Sequence, residues 1–570
     1  MNQLREGFRS VAIFTALLVI FIVALSAWRI HIFQDIDIRV DQAFFVQWVR
    51  HLLEADHFAP RPESGVGWGL ALERDEGSFL HQFAKPLITA NPTIFQTASI
   101  TLHLMASAVI GTTVNAQAGL SIVFAGLVIL AIGLFPLGHH RLVDGPDIRN
   151  AVRIGGTAAC VAGLTSFLHV FSPLGVHNLG VLTMMVAALA VSRWNVGDGG
   201  PRQTVFVVTL CLLAAYSHYV NVFLVLPAAA LSVLVARGMS WRMRIRSVSV
   251  YGIMTVLGLL PAIAMTLIAH AKGVELLIPE KFGSLGFAAF HDPAGYVAGL
   301  PQRVAVYFET LVNVFTLPGL GLGVIGLVRM ARRYRITVPL IIVGLHVFWS
   351  IFMPLFAQYD RTAIYILPML SLGLGVVIVE LLDVAGRWRV HGQGEPFAAY
   401  LAAFTALAVA THLIIDLPRF VDPGKTPFWG RTIPHIGRQQ AMVREIETRL
   451  GAGAVVVPTQ TEIAHQLNSL RRAKPSYRVF KPLSHLAQRR AAGGLEAYLA
   501  SRRLVIDRSA PVFILATARE DQRVVLDGVQ NIICATVIRL CSGVELVAVK
   551  AWPRTWFTGH GRKLYKVVRP

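Results

Sequence analysis

The sequence predicts a mainly α-helical protein: a polytopic transmembrane helical bundle of about eleven crossings, followed by a small C-terminal α/β domain. Hydrophobic residues make up 54% of the chain and charged residues only 15%, whereas a soluble domain is about 25% charged. Apolar runs of about 18–22 residues, long enough to span a bilayer, recur as far as residue 416. Beyond that point, short strand-like segments are mixed with helical ones.

The first span is residues 1–29, and its apolar run has no convincing cleavage site for a signal peptidase. Arg5 and Arg9 precede this run, so we expect a cytoplasmic N-terminus. The segment 93–113 is apolar but interrupted by polar residues. We interpret it as re-entrant or interfacial, because the later arginine-rich short loops then all fall on the cytoplasmic side. The remaining predicted spans within 93–416 are 118–137, 152–170, 178–192, 203–216, 220–236, 247–269, 309–329, 337–355, 362–384 and 397–416.

Residues 30–92 form the longest polar loop before the bundle, with nine acidic and five basic residues. The loop faces outward if the N-terminus is cytoplasmic. Apolar residues at helical spacing over 41–54 predict an amphipathic helix on the membrane surface. Asp41 lies at the start of that helix, near the lipid headgroups.

Residues 417–570 are the predicted extracytoplasmic α/β domain. A helix is expected over 438–450, with strands at 454–457, 504–506, 512–516 and 545–549. This part carries 25 Lys and Arg against 10 Asp and Glu, which is +15 of the chain's net +20. These basic residues could form a solvated surface that lies beside anionic headgroups. Alternatively, they could contact an acidic glycan or lipid.

Three carboxylates in the outer loop, Asp35, Asp37 and Asp41, are candidates for acid–base chemistry. An inverting glycosyl transfer needs a carboxylate that takes the acceptor's proton as the anomeric carbon is attacked. The alternative for Asp41 is a structural role, as the N-cap of the helix that begins at Gln42.

Cations near span ends are candidates for binding a phosphate. Tyr365 is a candidate for the same phosphate as Arg361, whose fork geometry matches phosphate oxygens. Lys85 stands just before the re-entrant segment. Both have structural alternatives: Arg and Tyr anchor spans at the interface, and a lysine at this depth can simply snorkel.

Two outward turns contain His177-Asn178 and His218. Two histidines at one depth are compatible with a metal site, but carboxylate or cysteine ligands at metal-binding spacing are missing, so we expect no metal. His177, Asn178 and His218 remain candidates for substrate contacts. The sequence also has no Walker A motif and no GxGxxG after a strand. We therefore expect no nucleotide cofactor and no nucleic acid partner.

The order of these parts resembles the GT-C superfamily of polytopic glycosyltransferases, in the style of the protein mannosyltransferases and aminoarabinose transferases. An acidic residue with following aromatics (Asp41 to Phe45) comes first, then Lys85-Pro86-Leu87 and Ser172-Pro173. Arg361, Tyr365 and Pro368 follow late, before a small outer domain. The sequence departs from the family in lacking an Arg after the Ser-Pro turn and the second Pro of the Lys-Pro-Pro pattern.

The resemblance implies transfer of a sugar from a polyprenyl-phosphate carrier to an envelope glycan, lipid or protein at the periplasmic face of a bacterial inner membrane. It implies Asp41 as the general base, with Asp37 as its nearest competitor, and Lys85 and Arg361 on the carrier phosphate. Since that phosphate is already a good leaving group, we expect a metal-independent reaction. Two other classes stay open: a transporter or flippase, and a non-catalytic scaffold in envelope biogenesis.

Overall fold

The structure is a computed structural model. It describes residues 2–33, 148–165, 177–194, 292–352, 362–391 and 396–421, residues 201–271 apart from 237, and, with further gaps, 105–139 and 436–568. The described chain divides into two compact units: the first holds the N-terminal helix and most of Gly119–Trp429, and the second holds Gly430–Pro570.

The first unit is a helical bundle. Its helices are α1 Asn2–Phe33, α2 Val114–Leu134, α3 Ile148–Leu164, α4 His177–Arg193, α5 Pro201–Ser217, α6 Tyr219–Val235, α7 Trp241–Ala271, α8 Pro293–Ala298, α9 Leu300–Phe315, α10 Leu317–Arg333, α11 Val338–Phe352, α12 Leu367–His391 and α13 Pro396–Val421, and a 3₁₀ turn, Ala363–Tyr365, precedes α12.

Among the described helices, three are long and apolar enough to cross a membrane, over Arg9–Ile30, Trp241–Leu260 and Leu367–Ala385. Shorter apolar helices lie in α2, α5, α6 and α11. The mainly helical, membrane-type architecture predicted from composition is therefore confirmed, while the number of crossings stays a prediction.

Glycines allow the helices of the bundle to pack closely. A Cβ on Gly326 of α10 would lie 1.8 Å from the carbonyl oxygen of Gly373 in α12, and one on Gly155 of α3 would lie 2.0 Å from that of Gly133 in α2. Small residues at such crossings let backbones approach, which is how helices associate inside membranes.

The helix directions give the bundle two distinct ends. One end, which we call the arginine end, carries ion pairs to α12: Arg153 to Asp383 at 2.6 Å, and Arg329 and Arg333 to Glu380 at 3.2 Å each. The N-terminal half of α3 and the C-terminal halves of α10 and α12 meet at this end. Which compartment this end faces stays a prediction.

The predicted span 309–329 is wrong as a single helix. The chain breaks at Thr316, and the axis of Pro293–Phe315 meets that of Leu317–Arg333 at 91°. Thr316 has φ 60°, and its side chain accepts a hydrogen bond from the backbone N–H of Gly319 at 3.2 Å. Pro318 in the first turn of α10 favours a new helix start here, since it has no N–H to donate.

The second unit contains a five-stranded sheet in the order β2–β1–β3–β5–β4. The three strands β2, β1 and β3 are parallel, whereas β5 is antiparallel to both β3 and β4. The elements are α14 Ile436–Arg449, β1 Val455–Pro458, β2 Arg478–Val479, α15 Leu483–Ala491, β3 Val512–Thr517, α16 Gln522–Gly528, β4 Glu545–Trp552 and β5 Arg562–Val568.

Both faces of this sheet are covered. On one face, Val443 and Ile446 of α14 pack with Val456 and Leu515; on the other, α15 and α16 pack on Val457, Ile514 and neighbouring strand residues. Of the parallel strands, β1 and β3 are buried throughout, which explains their continuous apolar sequences. Of the expected strand 504–506, only Ile506 is described, and it lies outside any strand.

Candidate functional site

Three residues that the sequence analysis selected from three separate turns meet in the bundle. His177 is the first residue of α4, His218 is the N-cap of α6, and Tyr365 closes the 3₁₀ turn before α12. We call this group the ring cluster, and the end of the bundle where it lies, opposite the arginine end, the histidine end. Asn178, also selected from the sequence, is buried beside His177.

The rings of the cluster are in contact. The centroids of His177 and His218 are 4.7 Å apart, those of His218 and Tyr365 are 5.2 Å apart, and those of His177 and Tyr365 are 6.2 Å apart. His218 and Tyr365 have no solvent-exposed surface. Two imidazoles and a phenol are thus held together inside a predominantly apolar bundle.

Backbone contacts fix the position of these rings. Gly180, one turn into α4, lies so close to the cluster that a Cβ there would be 2.7 Å from Tyr365 Oη and 2.8 Å from His218 Cβ. Asn221 donates to the carbonyl oxygens of Gly180 and Ala214, both at 2.9 Å. α4, α5 and α6 are therefore tied together directly beside the cluster.

The hydrogen bonds of the histidines indicate what they offer a ligand. His218 Nδ1 accepts from the N–H of Val220 at 3.3 Å, so in the neutral ring the proton is on Nε2. His177 Nδ1 is buried and has no hydrogen-bond partner among the described residues. Buried polar atoms are normally satisfied, so this atom fits a site that receives a polar group from a ligand.

A second buried histidine, His346 of α11, supports the turn that carries Tyr365. Its Nε2 lies 3.0 Å from the carbonyl oxygen of Thr362, which can only accept, so Nε2 carries the proton. Nδ1 then accepts from the hydroxyl of Tyr307 in α9 at 2.8 Å. This residue was not predicted as a site residue, because a lone histidine inside an apolar run gives no signal of its hydrogen-bond partners.

A third buried histidine, His412 of α13, contacts the break between α9 and α10. His412 Nδ1 lies 2.9 Å from Thr316 Oγ1, and Arg419, two turns further along α13, donates to the carbonyl oxygen of Asn313 at 2.9 Å. Asp416 is also buried on this helix. All three histidine networks lie toward the histidine end of the bundle.

Several predicted site residues lie outside the described part of the chain: Asp35, Asp37, Asp41, Lys85 and Arg361. Arg361 directly precedes Thr362, whose carbonyl oxygen accepts a hydrogen bond from His346.

Within the described ranges, no group of three or more His, Cys, Asp or Glu side chains could hold a metal ion.

No protein-family model matches this sequence, and no curated protein sequence matches it. Two solved structures are similar to this chain. One is the crystal structure of ArnT from Cupriavidus metallidurans in the apo state, with 13% identity, a TM-score of 0.48 and coverage of 96% of this chain and 97% of that one. The other is the Archaeoglobus fulgidus oligosaccharyltransferase in complex with Zn and sulfate, with 13% identity, a TM-score of 0.43 and coverage of 87% and 68%. At these values neither likeness assigns an activity to this chain.

Proposed function

We propose that this protein is a membrane glycosyltransferase that moves a sugar from a polyprenyl-phosphate carrier to an envelope glycan, lipid or protein. The observation that carries the proposal is the ring cluster. The sequence predicts site residues in the three turns that contain His177, His218 and Tyr365, and these turns are far apart along the chain. They meet at one buried place, at the end of the bundle opposite the arginine end.

The proposed reaction needs a general base, residues that bind the phosphate and residues that contact the sugar. In this proposal Asp41 takes the acceptor's proton, with Asp37 and Asp35 as alternative bases. Lys85 and Arg361 bind the carrier phosphate, whose departure leaves an inverted glycosidic bond to the acceptor. His177, Asn178 and His218 supply hydrogen bonds and ring surface to the substrate, and Tyr365 binds the carrier phosphate together with the two cations.

The proposed location is a bacterial inner membrane, with the N-terminus in the cytoplasm. The ion-paired Arg153, Arg329 and Arg333 at the arginine end support this orientation, because short basic loops stay in the cytoplasm. The histidine end and the C-terminal α/β unit, 417–570 in the predicted boundaries, then belong to the periplasm. An amphiphilic lipid-linked sugar would present its reactive carbon at this headgroup depth.

A transporter is less well supported by the buried histidines. Ionisable residues on a transport path face a cavity and mark ion or proton relays. His346, the histidine nearest the middle of its helix, instead has both ring nitrogens hydrogen-bonded within the protein, to Tyr307 and Thr362. These two hydrogen bonds indicate that His346 stabilises the packing of its neighbours.

The test is mass spectrometry of lipid-linked sugars in a deletion strain. We expect a polyprenyl-phosphate sugar to accumulate and one envelope product to lose a sugar. The gene should reverse both changes, while Asp41→Asn, expressed at the same level, should reverse neither. An unchanged lipid-linked pool in the deletion strain would reject the transferase, and full complementation by Asp41→Asn would reject only Asp41 as the base.

A further inference from the structure

Helices α8 and α9 present different chemistry on three sides. The side toward the bundle is buried: Tyr307, Leu311 and Val314 are 3%, 5% and 1% exposed. A second side is apolar and open, with Val297, Val304 and Phe308 exposed by 64%, 41% and 50%. These last residues line a shallow groove of about 640 Å³ together with Leu300, Pro301 and Ala305.

The third side of α9 carries its exposed polar residues, beside the exposed Val306. Gln302 and Glu309 are both exposed. With 3.6 residues per turn, each lies about 140–160° around the helix from Val304. A helix with a wide apolar face and a separate polar face is the type that lies in the plane of a membrane interface.

The angle at Thr316 fixes how this pair of helices lies in the bundle. α10 runs alongside α12, whose residues Leu367–Ala385 are long and apolar enough to cross a membrane. Pro293–Phe315 is turned by 91° from the axis of α10. If α10 and α12 cross the bilayer, α8 and α9 lie nearly parallel to its surface at the histidine end.

Polar contacts hold the pair against the end of α11. The guanidinium of Arg303 donates to the carbonyl oxygens of Tyr296, at 2.6 Å, and of Ile351, at 3.3 Å. Tyr296 donates in turn to the carbonyl oxygen of Phe352 at 2.5 Å. The apolar side is therefore held in a fixed orientation, and Phe348 and Phe352, exposed by 47% and 43%, are further apolar surface on the adjoining helix.

We propose that α8 and α9 form an in-plane membrane anchor whose apolar groove is filled by phospholipid acyl chains of the leaflet at the histidine end. Gln302 and Glu309 then face the headgroups and water. In this orientation the buried side of the helices faces the bundle, the exposed apolar side faces the hydrocarbon and the side with Gln302 and Glu309 faces water. It replaces part of the predicted span 309–329, and it holds whether or not the protein is a transferase.

The test places a benzophenone photocrosslinker at single positions of the full-length protein. The protein is reconstituted in vesicles of phosphatidylethanolamine and phosphatidylglycerol and irradiated. We expect Phe308→p-benzoylphenylalanine to give phospholipid adducts by mass spectrometry, with the crosslink on an acyl carbon. The matched control, Gln302→p-benzoylphenylalanine, one helical face away, should give at least fivefold fewer such adducts.

Equal lipid adducts at the two positions would overturn the proposal, as would no lipid adduct at position 308. A protein–protein adduct at 308 would instead identify a second copy as the occupant of the groove, and it would also overturn the proposal. Variants are compared only if their melting temperature matches that of the parent protein. If Phe308→p-benzoylphenylalanine fails this criterion, Val304 provides a second position on the same face.

Discussion

Tyr365 illustrates how a single glycine positions a functional side chain. Its hydroxyl lies over Gly180, at a place where any larger residue would collide with it. The same glycine is in contact with His218, and its carbonyl oxygen accepts from Asn221. Gly180 is thus required for the ring cluster to close, although nothing in its immediate sequence distinguishes it from other glycines in apolar helices.

We predict that Gly180→Ala opens the ring cluster. The new methyl group would lie 2.7 Å from Tyr365 Oη and 2.8 Å from His218 Cβ, and overpacking of this kind costs about 1–3 kcal/mol. The measurement is the melting temperature in detergent, combined with complementation of the deletion strain. We expect a lower melting temperature and weaker complementation.

The control for this prediction is Gly252→Ala in α7, where an added Cβ has no neighbour within 4 Å. It should leave both readouts unchanged. Adding Tyr365→Phe to Gly180→Ala removes one of the two clashing atoms, so part of the lost stability should return. Wild-type stability in Gly180→Ala alone would show that the rings are not packed as described.

Some residues of the site could be predicted from the sequence, and others could not. His177, His218 and Tyr365 were accessible because they lie in short polar turns between apolar runs. His346 and Asn221 were not, because each is a lone polar residue in an apolar helix and its role depends on partners such as Thr362 or Gly180, distant in the sequence. Hydrogen-bond partners of this type become visible only when the helices are packed.

At the scale of elements, the break at Thr316 shows the limit of hydropathy. The apolar character continues through the break, so the pattern predicted one span. The signal that existed was local: Thr316 two residues before Pro318 is an N-cap followed by proline in the first turn, the usual signature of a helix start. Averaging over a span-length window conceals that signature.

The close crossing of α10 and α12 predicts that a larger residue at Gly326 destabilises the protein. Gly326→Ala would bring a methyl group to 1.8 Å from the carbonyl oxygen of Gly373, an atom that cannot move without shifting the helix. We expect a loss of about 2 kcal/mol or more, seen as a lower melting temperature in detergent. Gly321→Ala on the same helix, with nothing within 4 Å of the added Cβ, should be neutral. Equal melting temperatures for the two variants would contradict the described crossing.

In the C-terminal unit, Glu445 of α14 links the helix to the sheet. Its carboxylate accepts from the indole N–H of Trp552 at 2.7 Å and from Arg449 at 2.9 Å, and Lys550 lies 3.3 Å away. The hydrogen bond from Trp552, followed by those from Arg449 and Lys550, holds the pKa of Glu445 below its ordinary value of 4.5. The folded state therefore favours the ionised form of this side chain.

This pKa shift predicts a pH-dependent contribution to stability. Because the pKa is lower in the folded than in the unfolded state, the stabilisation is complete above pH 4.5 and is lost as the pH falls through the folded pKa. Glu445→Gln should lower the melting temperature of the full chain by a few degrees at pH 6, and the difference from wild type should shrink as the pH falls below 4.5. The exposed Glu545 on β4 provides the control, as Glu545→Gln should have no effect. A difference that is constant with pH would contradict this account.

At the scale of the whole molecule, the two ends of the helical bundle differ in their chemistry. Arginine–carboxylate pairs such as Arg153 with Asp383 lie at one end, and the ring cluster, His346 and His412 lie toward the other. Sequence could anticipate this separation, because charge in short loops is readable span by span. It could not anticipate that three turns would converge on one cluster, since that depends on which helices are neighbours.

The most direct test of the proposed function is to locate the bound carrier. A polyprenyl phosphate with a photoreactive group near its phosphate is crosslinked to the purified protein in nanodiscs, and the adducts are mapped by mass spectrometry. We predict adducts in peptides that contain His177, His218 or Tyr365, suppressed by excess unlabelled polyprenyl phosphate and not by phosphatidylglycerol. Adducts confined to the arginine end, around Arg153 or Arg329, or equal suppression by both lipids, would contradict a carrier site at the ring cluster.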